Sequence, residues 1–150
     1  MKYILFVLTT IFMVLIVIQD LKYQYVKFWV LLLHILFLAG FFGTMRSTGI
    51  ITALIMVVLL IVYTISTLSK SEEEKAVIQQ FHIVDMIYAT LAFSSSFLLR
   101  TEYVHVPFYY LLIPLIPGVL FILFYKKEHV PLLAVLAPLI SVYSFWALLM

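Results

Sequence analysis

The sequence contains no cysteine, and charged residues make up only 11% of its 150 positions. Without cysteine, the chain has no disulfide bonds, no thiolate metal ligands and no thiol nucleophile. The formal net charge of +2 is small and scattered, so nucleic acid is not expected as a partner. Hydrophobic residues account for 66% of the chain, whereas roughly half is usual for soluble domains. This balance favours one membrane domain covering residues 1–150.

Six apolar segments, separated by short polar breaks, approach the length of about 20 residues that crosses a bilayer as a helix. The expected spans are 2–19, 26–44, 49–67, 79–99, 107–125 and 130–149. The first segment lacks the small-residue cleavage site of a signal peptide and five more follow, so we expect it to be retained. We therefore predict an all-α polytopic membrane protein with six transmembrane helices.

The distribution of basic residues predicts the orientation of these helices, because loops on the cytoplasmic side carry an excess of lysine and arginine. With the N-terminus outside, six lysines lie on the inner side and three basic residues on the outer side. The inner set is Lys22, Lys27, Lys70, Lys75, Lys126 and Lys127, and the outer set is Lys2, Arg46 and Arg100. We therefore expect the N-terminus outside and a multi-pass location in the cytoplasmic membrane.

Two acids, Asp20 and Asp85, accompany these apolar segments. A carboxylate at the bilayer centre costs roughly 2.5–3.5 kcal/mol on insertion scales, so an acid in such a place usually has a function. In the predicted topology, helix 1 ends at Asp20 on the cytoplasmic side. Helix 4 runs outward and reaches Asp85 after about two turns. Both carboxylates are expected near the cytoplasmic face, where burial against each other or against water makes them tolerable.

The segment IQDLKYQYVKFW contains Asp20, a basic residue two positions later at Lys22, and a branched apolar residue, Val26, that opens the next helix. This pattern resembles the surroundings of the first catalytic aspartate in type IV prepilin peptidases. That family commonly has proline after the branched residue, where this chain has Lys27.

A second segment, HIVDMIYATLAF, resembles the GxGD motif and the helix that follows it in the same family. Asp85 holds the place of the motif's aspartate, while His82 and Val84 replace its two glycines. Glycine at these places lets another backbone or the substrate come close to the acid.

A third segment, EHVPLLAVLAPLI, is similar to an IPFGPFLALG element of the family. Pro131 and Leu136 hold their places, and Leu133 and Ala134 stand for a glycine and a proline. With the six helices, the resemblance extends over nearly the whole chain.

The resemblance implies an intramembrane aspartic endopeptidase of type IV pilus or secretion systems. Its substrates would be pilin-like precursors, cleaved after a basic leader at the cytoplasmic membrane face. Asp20 and Asp85 would be the catalytic residues, with Lys22 and His82 in supporting positions. No cofactor or metal is implied, and the cysteine domain that accompanies N-methylation in many bacterial members has no counterpart here.

The chemistry of a carboxylate pair can also be stated without the family. Like charges about 3 Å apart cannot both ionise, so such a pair shares a proton and offers an acid and a base together. Two other uses stay open. One is a small proton- or cation-coupled transporter or channel subunit that uses Asp20, Asp85 and His82, and the other is a catalytically inactive relative with an assembly role.

The histidines have simpler expected roles. His82 lies three residues before Asp85, a spacing that can bind a metal or tune an acid, but local hydrogen bonding is the simpler interpretation. His34 lies in the middle of helix 2, where we expect a neighbouring helix to supply its hydrogen-bond partner.

Overall fold

The computed structural model describes residues 1–23, 26–45, 47–68, 83–102, 112–125 and 131–149. Within these ranges, the regular structure consists of helices and contains no strand. In chain order the helices are α1 (Lys2–Tyr23), α2 (Phe28–Gly43), α3 (Ser47–Leu68), α4 (Ile83–Glu102), α5 (Leu115–Phe124) and α6 (Leu133–Leu149). The all-α class predicted from the sequence is therefore confirmed.

The ends of α1 and α5 differ from the sequence-based expectation. Helix α1 continues to Tyr23 instead of ending at Gln19, since no glycine or proline interrupts this stretch and Lys22 in its last turn suits the negative end of the helix dipole. Asp20 therefore lies inside the last turn of α1. Helix α5 begins at Leu115, directly after Pro114. The first five residues of the expected span, 107–111, lie outside the described part of the chain, and residues 112–114 precede α5.

Five of the six helices form a closed ring. Going round it, α1 packs on α2, α2 on α3, α3 on α4, α4 on α6, and α6 on α1 again. Helix α5 packs chiefly on α6, at the periphery of this ring. As a result, α1 and α4 are joined through α6.

Apolar side chains fill the interior of the ring. Those that are almost fully enclosed come from α1, α2, α3, α4 and α6: Ile16, Leu31, Ile35, Leu38, Phe41, Phe42, Met56, Leu91 and Ile140. Two enclosed polar side chains, His34 of α2 and Tyr88 of α4, lie among them. The interior is therefore apolar with a polar pair inside it.

The outer surface of the bundle is also apolar. On α1, an exposed stripe repeats every three or four residues, which is one face of a helix: Ile4, Val7, Ile11, Val14 and Ile18. A similar exposed stripe on α3 contains Ile51, Leu54, Val58, Ile61 and Ile65. Large exposed apolar patches usually mark a surface that contacts lipid or another protein.

Among the described helices, α1 combines the length and hydropathy needed to cross a membrane. An N-terminal helix of this kind also occurs as a signal sequence, so length and composition do not separate the two cases. Helices α2, α5 and α6 are apolar but shorter, at 10–17 residues, and α3 contains an apolar stretch, Ile50–Val62, in the same class.

Candidate active site

Asp20 is buried at the end of α1, with 8% of its surface exposed. One of its carboxylate oxygens, Oδ2, accepts a hydrogen bond of 2.9 Å from the backbone N–H of Ala134. The two residues are 114 positions apart in the chain, and the packing of α6 on α1 brings them together. A buried carboxylate needs such a partner, because leaving a charged group without hydrogen bonds in the interior is costly.

The local structure around Pro131 explains why the N–H of Ala134 faces a carboxylate. Helix α6 begins at Leu133, so Ala134 lies in its first turn, where backbone N–H groups have no partner four residues earlier within the helix. The same N–H lies 3.2 Å from the carbonyl oxygen of Pro131. The helix dipole is positive at this end, which favours a negative side chain beside it. Asp20 thus caps α6 from another helix.

Asp85 lies in the first turn of α4 and is half-buried. It is near enough to Asp20 for the two negative charges to act on each other. The structure therefore places Asp85 in the neighbourhood of Asp20, and the N–H of Ala134 in direct contact with it.

Of the two supporting residues predicted from the sequence, Lys22 and His82, the structure describes only Lys22. Lys22 is exposed, and its Nζ lies 5.2 Å from the ring centroid of Tyr23. Residues two positions apart on a helix do not face each other, so Lys22 and Asp20 project from different sides of α1. His82 lies outside the described residues. In the described part of the chain, no three His, Asp or Glu side chains form a group that could hold a metal.

An apolar groove of about 400 Å³ adjoins Asp20. It runs between α5 and α6, and its wall includes Leu21 and Ala134, which are the chain neighbour and the hydrogen-bond donor of Asp20. The other lining residues are Pro114, Pro117, Gly118, Phe121, Val135, Pro138, Leu139 and Val142. No pattern in the sequence predicts this groove, because the groove is formed by the packing of α5 against α6.

Gly118 permits the close approach of α5 to α6. A Cβ atom built at this position would lie 2.5 Å from Cγ1 of Val135, a distance that forces a displacement. The missing side chain thus sets the width of the groove.

Pro138 adds a polar feature to the wall of the groove. Proline has no N–H, so the carbonyl of Ala134, four residues earlier, lacks its usual donor within α6. Ala134 therefore donates its N–H to Asp20, while its carbonyl oxygen has no N–H donor at position 138.

Inside the ring, Nδ1 of His34 and the hydroxyl of Tyr88 are 2.7 Å apart. Both side chains have no exposed surface. The expectation that a neighbouring helix provides the partner of His34 is confirmed. No pattern in the sequence pointed to Tyr88 as that partner.

Comparison with known proteins places the chain in no family. No protein-family model, no curated protein and no solved structure matches it. The resemblance to prepilin peptidases therefore depends on the motifs around Asp20, Asp85 and Pro131 alone.

Proposed function

We propose that the chain is an intramembrane aspartic endopeptidase of the prepilin-peptidase type, with Asp20 and Asp85 as its catalytic pair. The observation that carries the proposal is the burial of Asp20 at the end of α1, where it is hydrogen-bonded to Ala134 and lies near enough to Asp85 for the two charges to act on each other. Two interacting acids in an otherwise apolar bundle are the arrangement that hydrolysis by a carboxylate pair requires.

In the proposed reaction, one carboxylate is ionised and removes a proton from water while the water oxygen attacks the peptide carbonyl carbon. The other carboxyl group donates its proton to the carbonyl oxygen. The tetrahedral intermediate then collapses: one of its hydroxyl groups returns a proton to the carboxylate that had donated one, the C–N bond breaks, and the amine leaves with the proton that the other carboxylate took from water. Because the two groups interact, their titration belongs to the pair, and acid and base are not assigned to single residues.

The proposed location is the cytoplasmic membrane, with the N-terminus outside and the bundle crossing the bilayer six times. The exposed apolar stripes of α1 and α3 support it, because a bilayer covers such surfaces at no cost in hydration. The ends of helices that carry the acids would then lie at the cytoplasmic face, within reach of water.

The proposed substrates are pilin-like precursors, in which a basic leader precedes an apolar segment. The groove between α5 and α6 supports this choice, because its apolar wall begins beside Asp20. The carbonyl of Ala134 would accept a hydrogen bond from a backbone N–H of the bound substrate. Such a contact fixes the position of the chain relative to the acids, and correct positioning contributes strongly to catalysis.

The direct experiment is co-expression of the full chain with a membrane-anchored precursor that has a basic leader and an apolar segment. Asp20→Asn and Asp85→Asn are each expected to abolish leader cleavage, since each removes one partner of the proton-sharing pair. Glu102→Gln is the matched control, because it makes the same change at the opposite end of α4. It is expected to cleave like the parent.

The same variants separate the proposal from its rivals. Intact precursor in the parent, together with proton or cation flux that requires Asp20 and Asp85, would replace the peptidase with a transporter. Intact precursor without flux would favour an inactive assembly protein.

A further inference from the structure

The polar pair crosses the interior of the ring and links two helices that do not follow one another around it. His34 belongs to α2 and Tyr88 to α4, and α3 lies between these helices in the ring. Besides the 2.7 Å contact, their rings lie nearly parallel, with centroids 5.7 Å apart and planes 12° from parallel. The hydrogen bond therefore joins two side chains whose relative orientation is also defined.

Packing alone does not account for His34. Its second ring nitrogen, Nε2, has no hydrogen-bond partner among the residues that the structure describes. A buried polar atom without a partner is unfavourable, whereas an aliphatic side chain would occupy the same apolar surroundings without this cost. The histidine is therefore explained better by its bond to Tyr88 than by the space it fills.

The unpaired nitrogen also indicates the tautomer. Buried N–H groups without an acceptor are rarer than buried acceptors without a donor. The favoured tautomer carries its proton on Nδ1 and leaves Nε2 bare. In this form, His34 donates its Nδ1–H to the oxygen of Tyr88.

Tyr88 is connected to the acids by its place on α4. It follows Asp85 by three residues, so the two share one face of the helix. Side chains on a helix lean toward its N-terminus, and Tyr88 therefore leans toward the turn that carries Asp85. A rotation of α4 that moves Tyr88 away from His34 therefore moves Asp85 as well, because both belong to the same face of one helix.

We propose that His34 and Tyr88 are positioning residues for the acid pair: their hydrogen bond sets the rotation of α4 about its axis and so directs Asp85 toward Asp20. This inference deepens the proposed peptidase function and depends on it for its catalytic meaning. The positioning itself is a property of the fold that can be measured without any substrate.

The absence of cysteine makes that measurement simple, because only introduced thiols react. In the full chain in membranes, the double variant Asp20→Cys with Asp85→Cys is treated with a short thiol cross-linker, and the initial rate is recorded. Adding His34→Leu or Tyr88→Phe is expected to lower this rate roughly two-fold or more, the lower end of coupling between contacting residues.

Two further backgrounds separate the hydrogen bond from general loosening. His34→Asn keeps an N–H near the position of Nδ1 and is expected to preserve the rate. Ser95→Ala removes another buried hydroxyl of α4, which donates to the carbonyl of Leu91 in the same helix, and it is also expected to preserve the rate.

The proposal would be overturned if neither His34→Leu nor Tyr88→Phe changed the cross-linking rate. It would also be overturned if Ser95→Ala lowered this rate as much as those two variants. A fall in His34→Asn as large as that in His34→Leu would assign the effect to packing and overturn it as well. If the double variant Asp20→Cys with Asp85→Cys does not cross-link, positions 20 and 85 are not close to each other, and the proposal is overturned.

Leader cleavage provides the second readout. With the acids intact, Tyr88→Phe is expected to lower kcat roughly ten-fold or more with little change in KM, because misplaced catalytic groups affect the chemical step more than binding. If the parent does not cleave, the peptidase function fails while the cross-linking still decides the positioning. If the parent and Ser95→Ala cleave and Tyr88→Phe cleaves equally well, the positioning fails alone.

Discussion

Asp20 accepts a hydrogen bond from the backbone N–H of Ala134, at 2.9 Å, although the two residues are separated by 114 positions. This bond links the end of the first helix to the beginning of the last one described. It gives one residue two roles, as a candidate catalytic acid and as a cap for α6, and these roles respond differently to substitution.

Asp20→Asn keeps an oxygen that can accept the N–H of Ala134, whereas Asp20→Val leaves this N–H with the carbonyl of Pro131 alone. We expect Asp20→Val to lower the free energy of unfolding by about 1–3 kcal/mol and Asp20→Asn by clearly less, even though both remove the acid. Unfolding in detergent micelles would measure this difference. Equal destabilisation by the two variants would contradict the capping role.

The orientation can be tested with single cysteines in the cysteine-free chain. Both Lys2 and Lys22 are exposed, at opposite ends of α1. With the N-terminus outside, Lys2→Cys is expected to react with an impermeant thiol reagent on intact cells, and Lys22→Cys only after permeabilisation. The parent chain is the unlabelled control. The reverse pattern would invert the topology, and equal labelling of both sites on intact cells would exclude a spanning α1.

A bulkier residue at position 118 should disturb the groove. Gly118→Ala brings a methyl group against Val135, which we expect to destabilise the protein by about 1–3 kcal/mol and to displace α5 from α6. Adding Val135→Ala removes the atom it meets and is expected to recover most of the loss. Thermal unfolding of the single and double variants would test this, and failure of the second change to compensate would show that the two helices are not held this closely.

Pro138 allows a prediction in which stability and binding change in opposite directions. Pro138→Ala supplies the missing N–H to the carbonyl of Ala134, so α6 should become more stable by about 1 kcal/mol or more. The same change occupies the acceptor proposed for the substrate, and KM for leader cleavage should rise. A stabilised variant with unchanged KM would show that the carbonyl does not contact substrate.

The protonation of His34 can be observed directly. If Nδ1 donates to Tyr88, nitrogen-15 NMR of labelled protein in micelles should show a proton on Nδ1 and none on Nε2. Tyr88→Phe should remove the hydrogen bond and change the shift of Nδ1. A proton on Nε2 in the parent would assign the donor role to the tyrosine hydroxyl.

Much of the helical architecture follows from local features of the sequence. Each of the six apolar segments contains a described helix, because runs of apolar residues separated by polar breaks specify helices locally. The predicted end of α1 was wrong, since Asp20, Lys22 and Tyr23 are polar or interfacial residues that nevertheless do not interrupt a helix. Hydropathy detects where a helix would leave an apolar environment, which is a different property from where its backbone hydrogen bonding stops.

Only part of the candidate site could be predicted from local features of the sequence. Asp20 and Asp85 were conspicuous because acids are rare in so apolar a chain. The partner of Asp20 is a backbone N–H of Ala134, which no side-chain pattern reveals, and the partner of His34 is one tyrosine among ten. Both contacts join residues that are far apart in the chain, so they depend on the order of helices around the bundle.

Closure of the ring by α1 and α6 also has a consequence for biogenesis. The contact between Asp20 and Ala134 spans 114 positions, so it is among the last to form, because contacts between distant parts of a chain carry a large loop-closure cost. Until α6 docks, α1 to α4 form an open layer in which Asp20 lacks the N–H of Ala134. For the proposed peptidase, the surroundings of Asp20 would therefore be complete only after α6 has docked.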